Sequence, residues 1–219
     1  MCRDGVLIDF KQALRERKDG IMVNVAILGF GTVGSGVAEV LTGHESSIER
    51  KAEGLIRLKY ILDVRDFPDS PFAGRFVKDF GVIENDPEVD IVVETIGGAG
   101  VALDFTRRAL AAGKSVVTSN KELVAAHGYE LTQAAKEKGV CYLFEASVGG
   151  GIPIIRPLSQ CLAANEILEI YGILNGTTNY ILTRMIRAGL TFDAALAEAQ
   201  EKGYAERDPS ADVDGHDAC

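Results

Sequence analysis

Short apolar runs alternate with stretches of helical spacing along the chain as far as Phe144, the pattern of strands joined by crossover helices in a parallel sheet. The run Val23–Leu28 predicts the first strand, and Gly34–Leu41 opens the helix behind it. A second strand is predicted at Leu58–Val64, followed by a loop over Arg65–Phe72, whose two prolines break any regular element. Val89–Ile96 predicts a third strand, and Val101–Gly113 a helix ending at a glycine cap. Lys114–Ser119 reads as a fourth strand, Lys121–Gly139 as mostly helix and Val140–Phe144 as a fifth strand.

Beyond Phe144 the texture changes. Glu145–Pro153 is a glycine-rich connector, Ile154–Ala164 is predicted as helix, Glu166–Leu174 as strand, and two further helices follow, the second capped by Thr191. The domain plan is an extension over residues 1–21 outside the fold, a first domain over 22–144 and a second over 145–219. Met22, directly before the first strand, suits a natural start.

Gly29, Gly31 and Gly34 form a G-x-G-x-x-G pattern directly after one predicted strand and before a helix, the context that gives this motif meaning. The first glycine permits the tight turn, the second lets backbone approach a diphosphate, and the third lets helix and strand pack closely. Backbone N–H groups of Thr32 and Val33 then face the anion. The fold class is therefore α/β, a Rossmann-type doubly wound parallel sheet binding NAD or NADP. Asp63, Arg65 and Asp66 stand together at the end of the second strand, where the adenine ribose is read. Either aspartate suits a free 2′-hydroxyl and Arg65 a 2′-phosphate; the reading leans to NADP through Arg65.

Charge narrows the partners. With 32 acidic against 23 basic residues and a formal net charge of −9, the chain lacks an electrostatic reason to bind nucleic acid or anionic membrane. Its four cysteines show no Cys-x-x-Cys spacing, which fits a reducing, cytoplasmic setting without a zinc or redox pair. No apolar run reaches the ~18 residues of a membrane span.

In an open parallel sheet ligands lie beyond the carboxyl ends of the strands. The third strand ends in Glu94 and Thr95 followed by Gly97 and Gly98, bare backbone suited to a flat ring. The fourth ends in Ser119, Asn120 and Lys121. A lysine in the first turn opposes the helix dipole, so Lys121 is better explained by function: stabilising negative charge that develops on a substrate carbonyl oxygen beside the nicotinamide.

The segments GFGTVGSG, ETIGG, TSNKELVA, EASVGGGIPII, GILNGTTNYIL and GYAERDPSADVDGHDA, in this order, resemble homoserine dehydrogenase from about Met22 to Cys219. The resemblance implies NAD(P)-dependent interconversion of aspartate 4-semialdehyde and homoserine, and a second domain that is the incomplete start of an α+β substrate and dimerisation domain. Lys121 and Asp217 are implied to be catalytic, with Glu206 meeting the substrate amino group and Asn175, Gly176 and Thr177 bordering its pocket. Backbone carbonyls of Glu145, Val148, Gly150 and Ile152 are implied to bind Na+. A small-molecule substrate and a homodimer of the full-length enzyme complete the expectation.

One departure matters. The family's proton-donating lysine lies four residues beyond the position of Asp217, and Cys219 is the last residue here. A positioned acid is commonly worth ~10²–10⁴-fold in rate, so the expectation is the N-terminal portion of a longer enzyme, binding nucleotide but turning over poorly alone. The alternatives are another amino-acid dehydrogenase on the same scaffold, such as an aspartate dehydrogenase, and a non-catalytic nucleotide-binding module.

Overall fold

The computed structural model describes residues 22–52, 54–173, 175–205 and 209–215. Contacts divide the chain into two units, residues 1–163 and 164–219.

The first unit is built on six parallel strands: β1 (Met22–Leu28), β2 (Leu55–Leu62), β3 (Phe76–Val77), β4 (Val89–Glu94), β5 (Ser115–Thr118) and β6 (Tyr142–Leu143). Their order across the sheet is β3-β2-β1-β4-β5-β6, and every adjacent pair runs parallel. This is the doubly wound α/β arrangement expected from the alternating pattern. The strand order reverses between β1 and β4, so the crevice for a ligand opens at their carboxyl ends.

The central strand shows why such a sheet reads as a continuous apolar run. In β1 six consecutive residues after Met22 are buried, because helices cover both faces. Successive side chains still alternate: Ile27 joins Ala38, Leu58, Ile61 and Phe72 on one side, while Ala26 and Leu28 join Leu62, Val92, Leu110, Val116 and Leu131 on the other. Burying each of the larger aliphatic side chains contributes about 1.5–3 kcal/mol.

Helices α1 (Thr32–Gly43) and α2 (Glu45–Ala52) connect β1 to β2, α3 (Phe80–Glu84) precedes β4, α4 (Gly100–Ala111) joins β4 to β5, and α5 (Lys121–Lys138) joins β5 to β6. The ends of α5 follow local chemistry: the side chain of Asn120 accepts the Leu123 N–H at its start, and Gly139, at φ 69°, closes it in the left-handed conformation. The short β3 and α3 lie between the predicted loop at Arg65–Phe72 and the strand at Val89, where the sequence pattern assigns no element, being too short to register as periodic segments.

The helix expected over Ile154–Ala164 is present from Ile155 to Cys161, with π-helical bonding over Pro157–Cys161, where Leu162 N–H reaches back to the Pro157 carbonyl at 3.1 Å. The second unit contains α6 (Gly176–Ala188), α7 (Phe192–Glu201) and α8 (Ser210–Val213), with Ile181, Ala195, Ala199 and Ala205 buried together. Residues 166–173, predicted as strand, form none. Ile170, Tyr171 and Ile173 are 69, 84 and 77% exposed. A strand needs a neighbour to take its N–H and C=O groups, and none pairs with this segment among the described residues. No helix among them is long and apolar enough to cross a membrane.

Candidate nucleotide and substrate sites

The glycine loop leaves β1 at the switch point. Gly29 has φ +91°, and a Cβ there would stand 3.1 Å from the Thr95 carbonyl oxygen. A Cβ on Gly34 would stand 2.0 Å from the Gly29 carbonyl oxygen and 2.9 Å from Thr95 Oγ1. Both glycines are thus required by contact between loop, helix and β4. Gly31 differs, since a Cβ there would meet nothing within 4 Å.

Gly31 is also the N-cap of α1, where no side chain caps the helix and no acidic residue occupies the first turn. Thr32 and Val33 are exposed. The first residues of α1 are thus exposed among the described residues, and the dipole and N–H groups of a helix N-terminus fit a diphosphate.

At the end of β2 the three candidates for reading the ribose prove unequal. Asp63 is buried, 8% exposed, and its carboxylate accepts the Phe30 N–H at 2.8 Å, the Arg65 N–H at 2.8 Å and the Arg65 guanidinium at 3.0 and 2.9 Å. The Arg65 side chain beside it holds the Asp63 carboxyl well below the usual carboxylate range, against the effect of burial. Arg65 also donates to the Phe30 carbonyl at 3.1 Å and lies over the Phe67 ring at 5.1 Å, yet its side chain remains 59% exposed. Asp66 points to solvent and pairs with Lys78 at 2.9 Å. Asp63 is thus engaged in shaping the glycine loop, and Arg65 presents the accessible charge.

The ends of β4 and β5 carry a buried polar network. Glu94 is fully buried; it accepts the Ile96 N–H at 2.6 Å and the Thr118 hydroxyl at 2.5 Å. Burial pushes its carboxyl above the ordinary glutamate value, with the bonds from Thr118 and Ile96 opposing. Asn120 donates through Nδ2 to the carbonyls of Ile96 at 2.9 Å and Gly98 at 2.7 Å. Thr95 joins this group to the glycine loop by donating to the carbonyls of Leu28 and Gly29. Gly97 and Gly98 have open space where a side chain would be. Ser119 is half-buried, its N–H 3.4 Å from the Glu94 carbonyl, and Lys121 is the exposed first residue of α5. The glycine loop, Gly97, Gly98, Ser119 and Lys121 therefore share the carboxyl edge of one sheet, as the strand-end reading requires.

The connector after β6 is braced by Glu145, whose carboxylate accepts the N–H groups of Ile154, Ile155 and Arg156 at 2.5, 2.9 and 2.7 Å. Gly149 and Gly150 take φ of +71° and +58°, curling the stretch that holds Val148, Gly150 and Ile152. The Glu145 carbonyl accepts the Val148 N–H at 3.4 Å.

In the second unit Asn175 caps α6 by accepting the Thr178 N–H at 2.8 Å and donates to Asp212 at 2.7 Å. The Thr177 hydroxyl donates to the Tyr204 carbonyl at 2.6 Å. Asn175, Gly176 and Thr177 line a cleft of about 670 Å³ together with Tyr180 and Tyr204. Glu206 and Asp217 lie outside the described residues. Sequence reading missed the structural work of Asp63, Glu94 and Asn120; a carboxylate inside the apolar run of β4 was the available signal for Glu94.

Two family models match successive stretches of the chain. A family model for the NAD-binding domain of homoserine dehydrogenase matches residues 29–145, and a second model, for homoserine dehydrogenase, matches residues 153–219. The chain is 47% identical over 203 residues to a homoserine dehydrogenase of Synechocystis sp., covering 90% of this chain and 46% of that protein. It superposes on a homoserine dehydrogenase structure from Thiobacillus denitrificans with a TM-score of 0.84 at 45% identity, covering 90% of this chain and 46% of the other. A hyperthermophilic archaeal homoserine dehydrogenase in complex with NADPH superposes with a TM-score of 0.78 at 31% identity, covering 90% and 66%. The chain spans about half the length of the curated relatives it matches.

Proposed function

The chain belongs to the homoserine dehydrogenase family, and on that premise we propose that it is the nucleotide-binding half, with the start of the substrate-binding half, of an enzyme interconverting aspartate 4-semialdehyde and homoserine. The observation that carries the reading is the contrast between Gly34, whose bareness is demanded by internal contact, and Gly31, an exposed N-cap where a Cβ would meet nothing within 4 Å among the described residues. A ligand that lies against the backbone at Gly31 accounts for it.

A nicotinamide dinucleotide, when bound, supplies or accepts the hydride. The N–H groups of the loop from Gly29 through Gly31, Thr32, Val33 and Gly34 hold its diphosphate, and Arg65 takes the 2′-phosphate, which makes NADP the preferred form. The NADPH complex of the archaeal relative is in keeping with this. Gly97, Gly98 and Ser119 border the nicotinamide. Lys121 and Asp217 organise the substrate oxygen, where the charge develops and where a proton must arrive when the aldehyde is reduced. Glu206 receives the substrate amino group, and Asn175, Gly176 and Thr177 line the substrate pocket. The carbonyls of Glu145, Val148, Gly150 and Ile152 suit a hard monovalent cation such as Na+, the left-handed Gly149 and Gly150 providing the curl. The full-length enzyme is a cytoplasmic homodimer in this reading, and the 219-residue chain alone binds nucleotide with little turnover.

Calorimetric titration of the folded chain with NADPH and NADH tests the nucleotide half of the proposal; no heat from either would end it. Homoserine-dependent reduction of NADP by the full-length enzyme, lost on Lys121→Ala with folding unchanged, tests the catalytic half. Unaltered turnover would remove Lys121 from the chemistry.

A further inference from the structure

We infer that Asn120 is a positioning residue that clamps the glycine turn after β4 to the start of α5, and so sets the surface offered to the nicotinamide ring. This rests on the nucleotide-binding reading above and deepens it.

Both Nδ2 hydrogens of Asn120 are used on one turn. They reach the carbonyls of Ile96 and Gly98, the two residues flanking Gly97. The Ile96 N–H is gripped from behind by the buried Glu94 carboxylate. Gly98 has φ +76°, and, chain neighbours aside, no atom of the described residues lies within 4 Å of where a Cβ on Gly97 or Gly98 would stand. Two glycines lacking side-chain contacts have wide conformational freedom, so the shape of this turn depends on the bonds from Asn120 and Glu94.

Asn120 is itself rigid. Its backbone N–H donates to Thr118 Oγ1 at 2.9 Å, the hydroxyl of Thr118 is anchored on Glu94, and its Oδ1 accepts the Leu123 N–H at 3.0 Å. One side chain therefore caps α5 and straps the turn at once. The residue after it is Lys121, first in α5, so the same strap fixes the start of that helix against the turn.

Capping alone does not call for asparagine, because serine or aspartate caps a helix about as well. Only a primary amide offers an acceptor to the helix and two donors to a pair of carbonyls in the same side chain. That double requirement is what the geometry of Asn120 meets.

Asn120→Ser keeps the cap and is too short for the strap. Binding to the 219-residue chain is measured by calorimetry with two probes: NADPH, and 2′-phospho-ADP-ribose, which has the diphosphate and the adenosine end without the nicotinamide. NADPH affinity is expected to fall about ten-fold through lost pre-organisation, while 2′-phospho-ADP-ribose affinity stays within about two-fold of wild type. Equal losses for both probes would reduce Asn120 to a general structural role, and no loss for either would deny it any role; both results overturn the inference. Should Asn120→Ser not fold, Asn120→Asp decides, since it keeps size and cap but sets a carboxylate against the two carbonyls, with the same split between probes expected. If the wild-type chain binds neither probe, the nucleotide reading itself fails; if it binds both and the variants match it, only the strap fails.

Discussion

The carboxylate of Asp63, at the end of β2, accepts the backbone N–H of Phe30 in the glycine loop after β1 at 2.8 Å. The same carboxylate is held in a two-pronged pair with Arg65, so the glycine loop is braced by a carboxylate of the protein's own. Asp63→Asn keeps an acceptor near Phe30 and discards the charge. A loss of about 1.5–3 kcal/mol is expected, the scale of hydrogen bonds to a charged group. Because the carboxyl is depressed in the folded state, the stability it contributes is full above the unfolded aspartate value of 3.8 and is lost as pH falls toward the folded value. Urea denaturation of wild type and variant, followed from neutral to acidic pH, should show the gap closing; a gap constant with pH would deny the linkage.

Glu94 has the opposite sign. Its carboxyl is raised by burial, so the folded state favours the protonated form. The contribution is present below the ordinary glutamate value of 4.5 and fades as pH rises through the folded value. Glu94→Gln offers an oxygen to Ile96 and an amide to Thr118 without a buried charge. The stability of this variant relative to wild type is expected to climb with pH above 4.5 in thermal melts. A flat difference across that range would show that Glu94 titrates as an ordinary surface acid.

The two bare positions in the loop are expected to separate stability from binding. Gly34→Ala drives a Cβ into the Gly29 carbonyl, and overpacking against backbone costs about 1–3 kcal/mol. Gly31→Ala meets open space; losing the glycine N-cap should lower its melting temperature by no more than about 4 °C, with dinucleotide affinity down more than about ten-fold. Wild-type affinity in Gly31→Ala would mean that no ligand approaches the backbone there.

In the proposed reading cofactor choice falls on Arg65. Arg65→Ala should weaken NADPH binding by about ten-fold or more, the scale of a lost charge-assisted contact to phosphate, and change NADH binding by less than about two-fold. Parallel titrations with the two cofactors check it, and equal losses would assign Arg65 to loop bracing through Asp63 alone.

Much of this protein was legible in the order of its residues. The alternation of apolar runs and helical spacing determined the parallel α/β sheet, since a strand covered on both faces and a helix covered on one bury different periods. The placement of Gly29, Gly31 and Gly34 after β1 determined the turn and the close packing of α1 against it, because a turn that tight and a strand-helix contact that close are local steric facts. The tertiary structure decided what the sequence left open. Asp63 reaches a residue 33 positions earlier, and Asn120 reaches back 24 and 22 positions to Ile96 and Gly98. Such bonds exist only after parallel strands bring their carboxyl ends together, so nothing in local spacing reveals that an apparent ribose reader is a loop brace, or that a cap is also a strap. Residues 166–173 show the converse: their pattern is that of a strand, but a strand is a relation between two segments, and one segment's pattern does not supply the other.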